Sequence, residues 1–332
     1  MITNQDEYNA FVARSPAGTI FGTTWWLDAV APESYEILTV RKGSELVAAW
    51  PIIKTTDRLR GLRIGMPPLT PWLGILFRPV GNTNVANRLK DEKDLAEALV
   101  AQLPRFQSLH VRFHRGFTYW LPLYWKGFAQ TTRYTYVLED LADVTALWGG
   151  LRDNIRTDIR KAKREGVSVE CVDDLRLFWD VHRMTFERQN LPVPYTFDLV
   201  QRIDAACRQH GSRRIFVGRD SEGKIHAGAY IIWDRNSAYY VMGGANPLLR
   251  TSGAASLVLW EAIQFAATVT NAFDFEGSMI EPVERFFRSF GARPCPYFAI
   301  SKVNSPLAIA YQATREIIAM MRPKGKGSHG HR

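Results

Sequence analysis

Cysteine is scarce in this 332-residue chain, with three in all: Cys171, Cys207 and Cys295, far apart and forming no CxxC pair. That spacing excludes a disulfide framework and a zinc ribbon. Long apolar runs are also missing. No stretch approaches the ~18 residues a membrane-spanning helix needs, and the opening MITNQDEYNAFVARS has no apolar leader core. The expectation is a soluble cytoplasmic protein without a transmembrane segment. His110, His114, His182, His210 and His226 show no metal-ligand spacing such as HExxH, so no metal is expected. No G-x-S-x-G elbow, Walker loop or Rossmann fingerprint occurs.

What is present is ordinary globular material, 46% hydrophobic and 23% charged, enough to bury a full core without staples. The length favours two domains over one. The formal net charge is +9, which favours anionic partners: phosphorylated metabolites, RNA such as tRNA, or an acidic membrane surface. The ten Trp are scattered, which suits core and groove lining rather than a base-stacking platform, and DNA is not among the expected partners. Part of the charge sits in the tail 322–332, too poor in apolar residues to fold.

The same order of elements runs twice. Helix candidates around Trp25-Trp26-Leu27 precede a hairpin pattern at 35–53, and helices at 175–189 and 197–210 precede another at 213–232. Arg41 and Arg219 stand just before the two turns. Each half continues as strand, helix, strand, helix or loop, strand. The first reads 74–77, 94–103, 109–113 and 133–139; the second reads 238–244, 254–266, 272–277, 283–292 and 297–302. This predicts a mixed α/β sheet built from two units, 1–140 and 141–304. An amphipathic helix at 305–321 is expected to return to the first unit.

Three constellations carry chemistry. In LRDNIRTDIRKAKREG (151–166), Arg152, Arg156, Arg160 and Arg164 stack at i,i+4, a repulsive line on a helix whose Ile155, Ile159 and Ala162 face the core. Either the line is a solvated face partly neutralised by Asp153 and Asp158, or an anionic acceptor or RNA lies along Arg156 and Arg160. Arg250-Thr251-Ser252-Gly253-Ala254-Ala255 lies between a strand and a helical segment, so its N–H groups could hold a pyrophosphate. In FDFEGS (273–278), alternation puts Asp274 and Glu276 opposite Phe273 and Phe275. These carboxylates could serve as general base or amine site, or pair with Arg285 and Arg288.

Together, NIRTDIRKAKREGVSVE, AYYVMGGAN, FDFEGS and ERFFRSFGARPCPYFAISK resemble the second GNAT-like domain of the FemABX group. The resemblance covers roughly 145–305; the first half matches in pattern. It implies two tandem GNAT-like acyltransferase domains that transfer an acyl group to an amine. In several members the donor is aminoacyl-tRNA and the acceptor a peptidoglycan precursor. The R-x-x-G-x-A spacing of Arg250, Gly253 and Ala255, with Ala254, resembles the acyl-CoA pyrophosphate loop of GNAT enzymes and favours acyl-CoA as co-substrate. By similarity, Arg156 or Arg160 contacts acceptor phosphates, Tyr239 or Tyr240 lines the acceptor channel, and Lys302 stabilises developing charge. Backbone N–H groups near Met242, Gly243 and Gly244 are expected to polarise the acyl carbonyl, with Glu276, Asp274 or water as the base. The chain departs from the family in two places: Trp26-Leu27-Asp28 lacks a following Lys, and Phe287-Arg288-Ser289-Phe290-Gly291 replaces F-K-x-x-F-G.

Overall fold

The computed structural model describes residues 4–57, 61–79, 84–277 and 279–304. The expected helix 305–321 and the basic tail 322–332 lie outside the described residues. The first half contains α1 (Gln5–Arg14), α2 (Thr24–Val30), β1 (Tyr35–Lys42), β2 (Glu45–Asp57), β3 (Gly61–Gly65), β4 (Leu76–Phe77), α3 (Val85–Ala101), β5 (Ser108–Arg112), α4 (Leu121–Trp125) and β6 (Ala129–Leu138). The second contains α5 (Val144–Gly150), α6 (Asp153–Arg164), β7 (Ser168–Val172), α7 (Leu175–Glu187), α8 (Phe197–Gln209), β8 (Arg213–Arg219), β9 (Ile225–Trp233), β10 (Ser237–Ala245), α9 (Ala254–Ala266), β11 (Ala272–Asp274), α10 (Glu281–Arg288) and β12 (Arg293–Val303).

Local chemistry explains the second half's elements. Asp174 caps α7 by accepting from the N–H groups of Arg176 and Leu177. In α6 the basic residues Lys161, Lys163 and Arg164 fall in the last turn, where they complement the dipole, and Gly166 follows at φ 77°. Strand β9 is buried at seven consecutive positions, because helices cover both of its faces. Phe178 of α7 and Tyr230, Tyr239 and Met242 join one core that runs into the first half through Phe21, Trp50, Trp72 and Val111. Ile155 and Ile159 of α6, Leu257 and Trp260 of α9, and Phe273 and Phe275 belong to another.

One mixed sheet holds the twelve strands of the described residues. Its order is β1-β2-β3-β5-β12-β6-β11-β10-β9-β8-β7, with β4 off the path on β2. Among the described residues only β3/β5 and β10/β11 run parallel; the other neighbours are antiparallel. The two predicted hairpins are both present, and each carries a register shift at its arginine, between Val40 and Arg41 and between Gly218 and Arg219. Both guanidinium groups then reach back to a turn carbonyl, Arg41 to Ser44 and Arg219 to Gly223. The internal repeat is therefore a repeat of bulges and turn bonds as well as of pattern.

Two features depart from the sequence reading. The third strand of the first unit is β3 at Gly61–Gly65, not the apolar run 74–77, which contributes only the two-residue β4 against Ala48 and Ala49. The last strands of the halves are exchanged: β6 pairs with β11, and β12 pairs with β5. A cut at residue 140 divides the chain but not the sheet.

Candidate active site

Parallel strands β10 and β11 pair from Ser237↔Ala272 to Tyr239↔Asp274; their pairing stops there while β10 runs on to Ala245. Phe275 instead donates its N–H to Tyr136 O, 2.9 Å away in β6. The two strands thus part, and β10 has a register shift against β9 between Tyr240 and Met242 at the same level. A crevice at the carboxyl ends of parallel strands, beside a bulge, is a recurrent place for a ligand.

The carboxylates stand at the point of divergence. Alternation sends Phe273 and Phe275 into the α6/α9 core and Asp274 to the opposite face. Asp274 is buried and accepts from the Thr135 hydroxyl and from the Glu276 N–H at 2.8 Å. Burial raises its pKa to about 6, although both hydrogen bonds pull the other way. Glu276 has φ 57°, a left-handed conformation that is strained for Glu. Gly277 follows at φ 63°, where a Cβ would lie 2.3 Å from Tyr134 O; only glycine lets the chain press so close to β6. The Glu276 Oε1 is buried without a hydrogen-bond partner among the described residues. Burial first, and then Asp274, push the Glu276 carboxyl well above its ordinary range, against the pull of Arg112. Glu276 is consequently the carboxyl that holds its proton longer. Neither acid pairs with Arg285 or Arg288; Arg288 instead bonds Glu284 at 2.8 Å.

Two residues that no sequence motif singles out complete the arrangement. His182 of α7 faces Gly243 O at 2.7 Å through Nδ1 and the Tyr195 hydroxyl at 2.8 Å through Nε2. A carbonyl only accepts, so Nδ1 carries the proton and the phenol donates to Nε2. Burial lowers the His182 pKa and keeps the ring neutral. Tyr195 is raised by burial and by the field of Glu276, which places its phenol near that carboxyl. His182 has no ligand or catalytic spacing, and Tyr195 sits in a loop; only the folded chain brings the two together.

The glycines of β10 serve close packing. A Cβ on Gly243 would fall 1.6 Å from the Tyr240 hydroxyl, and one on Gly244 would lie 2.5 Å from His182 Cα. Met242 is buried in the core. Tyr239 is also fully buried and donates to Asp234 Oδ2 at 2.9 Å. Tyr240 is half-buried against Phe287.

The remaining sequence candidates are placed elsewhere. Arg156 bonds Gly149 O at 3.1 Å and pairs with Asp153, tying down the end of α5, and Arg160 lies 5.9 Å from the Trp148 ring. Both ride on α6, on the side of the sheet opposite Asp274. Lys302 donates to Lys126 O at 2.6 Å. It stands seven residues beyond Cys295, the partner of Thr135, or about 23 Å along the strand at ~3.3 Å per residue. The structure does not bring Lys302 to the carboxylates.

The Arg250–Ala255 turn is covered from within. Arg250 and Ala255 are exposed, but Ser252, Gly253 and Ala254 are buried. A Cβ on Gly253 (φ 79°) would lie 2.2 Å from Asp158 O. Lys161 donates to Thr251 O, and Ser256 donates to the Asp158 carboxylate at 3.3 Å. The amino end of α9 therefore already faces a carboxylate, supplied by α6. Gly253→Ala is expected to lower stability by about 2 kcal/mol or more, from backbone strain and overpacking together. A variant with an unchanged melting curve would show that this contact is not needed.

A basic hollow of about 740 Å³ continues along the Asp274 face of the sheet, lined by Arg63, His110, Arg112 and Arg133 with Thr131 and Ser301. No carboxylate among the described residues lines it. Arg112 donates to Thr70 O at 3.0 Å and Arg133 to the Tyr297 hydroxyl at 3.3 Å, so both guanidinium groups are oriented without an ion-pair partner among the described residues.

Residues 149–278 match the model of the acetyltransferase (GNAT) domain. No curated protein matches the sequence. Among solved structures, FemX is 14% identical with a TM-score of 0.70, over 94% of this chain and 98% of that one. A tandem GNAT protein from the clavulanic acid biosynthesis pathway is 11% identical, TM-score 0.54, over 91% and 95%. L-PGS from Bacillus licheniformis is 14% identical, TM-score 0.53, over 94% and 96%. These likenesses concern the fold.

Proposed function

We propose a specific reaction for this FemABX-like GNAT acyltransferase: transfer of an acyl group from an activated ester or thioester to an amine on an anionic acceptor. One observation carries the reading, the buried Asp274 and the half-buried Glu276 at the parting of β10 and β11, with an arginine floor leading to it that no described carboxylate lines. The acceptor's anionic part lies on Arg63, Arg112 and Arg133, which present guanidinium forks suited to phosphate or carboxylate. Its amine reaches the crevice at Glu276. Attack of the amine lone pair on the acyl carbonyl forms the C–N bond; collapse breaks the C–O or C–S bond to the donor. The proton leaving nitrogen passes to Glu276, or to the Tyr195 oxygen as the phenol's own proton moves to His182 Nε2. N–H groups of β10 around Met242–Gly244 polarise the carbonyl, and holding both reactants in one crevice supplies much of the acceleration.

For the donor, the sequence spacing at Arg250–Ala255 favours acyl-CoA, and GNAT folds use it. Asp158 against the amino end of α9 weighs against a pyrophosphate there, because two anions would compete for one helix terminus. Arg152, Arg160 and Arg164 make no direct ion pair among the described residues, although Asp153 feels the charge of Arg152 and Arg160, and the line suits a polyanion. An aminoacyl-tRNA donor, with a cell-wall precursor among the acceptors, is thus the favoured reading, and acyl-CoA the second. Transfer that is abolished by ribonuclease, with no coenzyme A released, is the expected result. Release of coenzyme A insensitive to ribonuclease would establish the second reading. Arg63→Ala/Arg133→Ala should raise the acceptor KM by about tenfold or more, the effect of losing charge-assisted hydrogen bonds; an unchanged KM would remove the floor from the site.

A further inference from the structure

The two units end their fifth and eleventh strands in the same way. β5 pairs with β12 through Arg112↔Ala299, and Phe113 then donates to Phe298 O at 2.8 Å. β11 pairs with β6 through Asp274↔Val137, and Phe275 then donates to Tyr136 O at 2.9 Å. Phe113 and Phe275 are both fully buried. The correspondence sets Arg112 in the place of Asp274, His114 in that of Glu276 and Arg115 in that of Gly277. Helices α1 and α2 correspond in the same way to α7 and α8, and α2 packs on α8. Where the second unit has its carboxylate crevice, the first has a cavity of about 640 Å³ between the end of α1 and the turn after β5. Its charge is inverted.

Arg14, Ser15, His114 and Arg115 of the first unit line this cavity, with Arg235 and Asn271 of the second, and no carboxylate among the described residues does. Arg115 meets Glu139 at 3.5 Å, while its buried Nε has no partner. Arg14 and Arg235 are exposed and have no ion-pair partner among the described residues. The Ser15 hydroxyl, on a residue 2% exposed, has no hydrogen-bond partner among the described residues. His114 Nδ1 accepts from the Gly116 N–H at 3.1 Å, so Nε2 carries the ring proton. Burial, helped by Arg115, pushes His114 down to about 3, so it remains a neutral donor. Three arginines, a buried hydroxyl and an imidazole N–H form a set of donors with little to accept from them.

We infer that this cavity is a second ligand site, distinct from the acyl-transfer crevice, and that it binds a phosphate-bearing small molecule. In the duplicated unit the acid–base pair has given way to cations and a neutral donor. A base able to take a proton from an amine is absent from its described lining, and oxyanion recognition stands in its place. Residues of both units contribute, so a bound phosphate bridges the two.

Inorganic pyrophosphate titrated calorimetrically into Arg63→Ala/Arg133→Ala protein tests this, because the floor proposed for the acceptor is disabled in that background. One binding event is expected there, and adding Arg14→Ala and Arg235→Ala should weaken it about tenfold or more. Arg235→Glu alone, at an exposed residue, should weaken it likewise and serves if the fourfold variant melts early. No binding in the background protein, or an affinity unmoved by Arg235→Glu, would overturn the inference. Because acyl transfer is not the readout, failure of the proposed reaction leaves this result interpretable.

Discussion

Glu276→Gln is expected to lower kcat by about 10²–10⁴-fold, the range for a lost general base, while the variant melts at or above the wild-type temperature. The two effects share one cause. Glu276 sits at φ 57° with a buried, unpartnered Oε1, and Asp274 beside it disfavours its ionisation. Gln keeps the shape but has no charge to desolvate and no like charge to meet, so the folded state loses a liability as it loses its base. Glu276→Gly extends the test. The left-handed conformation costs glycine nothing, so stability should rise by ~1 kcal/mol while activity is lost. Transfer measured per folded molecule, alongside thermal melts, separates the outcomes. Full activity in Glu276→Gln would move the base elsewhere, with Tyr195 and His182 as the next candidates. A steep fall in melting temperature would make Glu276 a structural residue.

Such a site was only half legible in the amino-acid order. Alternation in FDFEGS predicts Asp274 and Glu276 on one face, and that part rests on a strand's two-residue period alone. The positive φ at Glu276 has no signature, since a Glu before Gly reads as an ordinary turn approach. His182 reaches Gly243 O of β10 only because Gly244 lets the α7 backbone approach that strand, a contact with no local pattern. The Arg250–Ala255 turn illustrates the converse. Its small residues fit a phosphate loop, but they also fit a helix packed at van der Waals distance, and α6 takes that second use. Arg156 likewise stands in a conspicuous line yet spends its donors on Gly149 O and Asp153. The hairpins were legible because turn chemistry and alternation agree over many residues. The exchange of β6 and β12 was not, because a strand's partner depends on long-range closure rather than on its own residues.

Asp274→Asn should flatten the acid side of the stability profile. With a folded pKa of about 6 against the ordinary 3.8, Asp274 binds more protons folded than unfolded between those values. Its favourable contribution is therefore complete below about pH 4 and is lost as pH rises through about 6. The gap between the two values corresponds to about 3 kcal/mol at most. Asn can accept from the Thr135 hydroxyl and the Glu276 N–H as Asp does, but it has no charge to bury. Wild-type stability, measured by urea unfolding, should thus fall relative to the variant by up to about 3 kcal/mol as the pH rises from about 4 to beyond about 6. Parallel profiles would mean that Asp274 is solvated as a carboxylate. The same substitution removes the like charge that raises Glu276, so the acid limb of the kcat profile should move to lower pH if Glu276 is the base. An acid limb that stays in place while the stability profile flattens would uncouple the two carboxyls, and the proton from the amine would then travel through Tyr195 to His182.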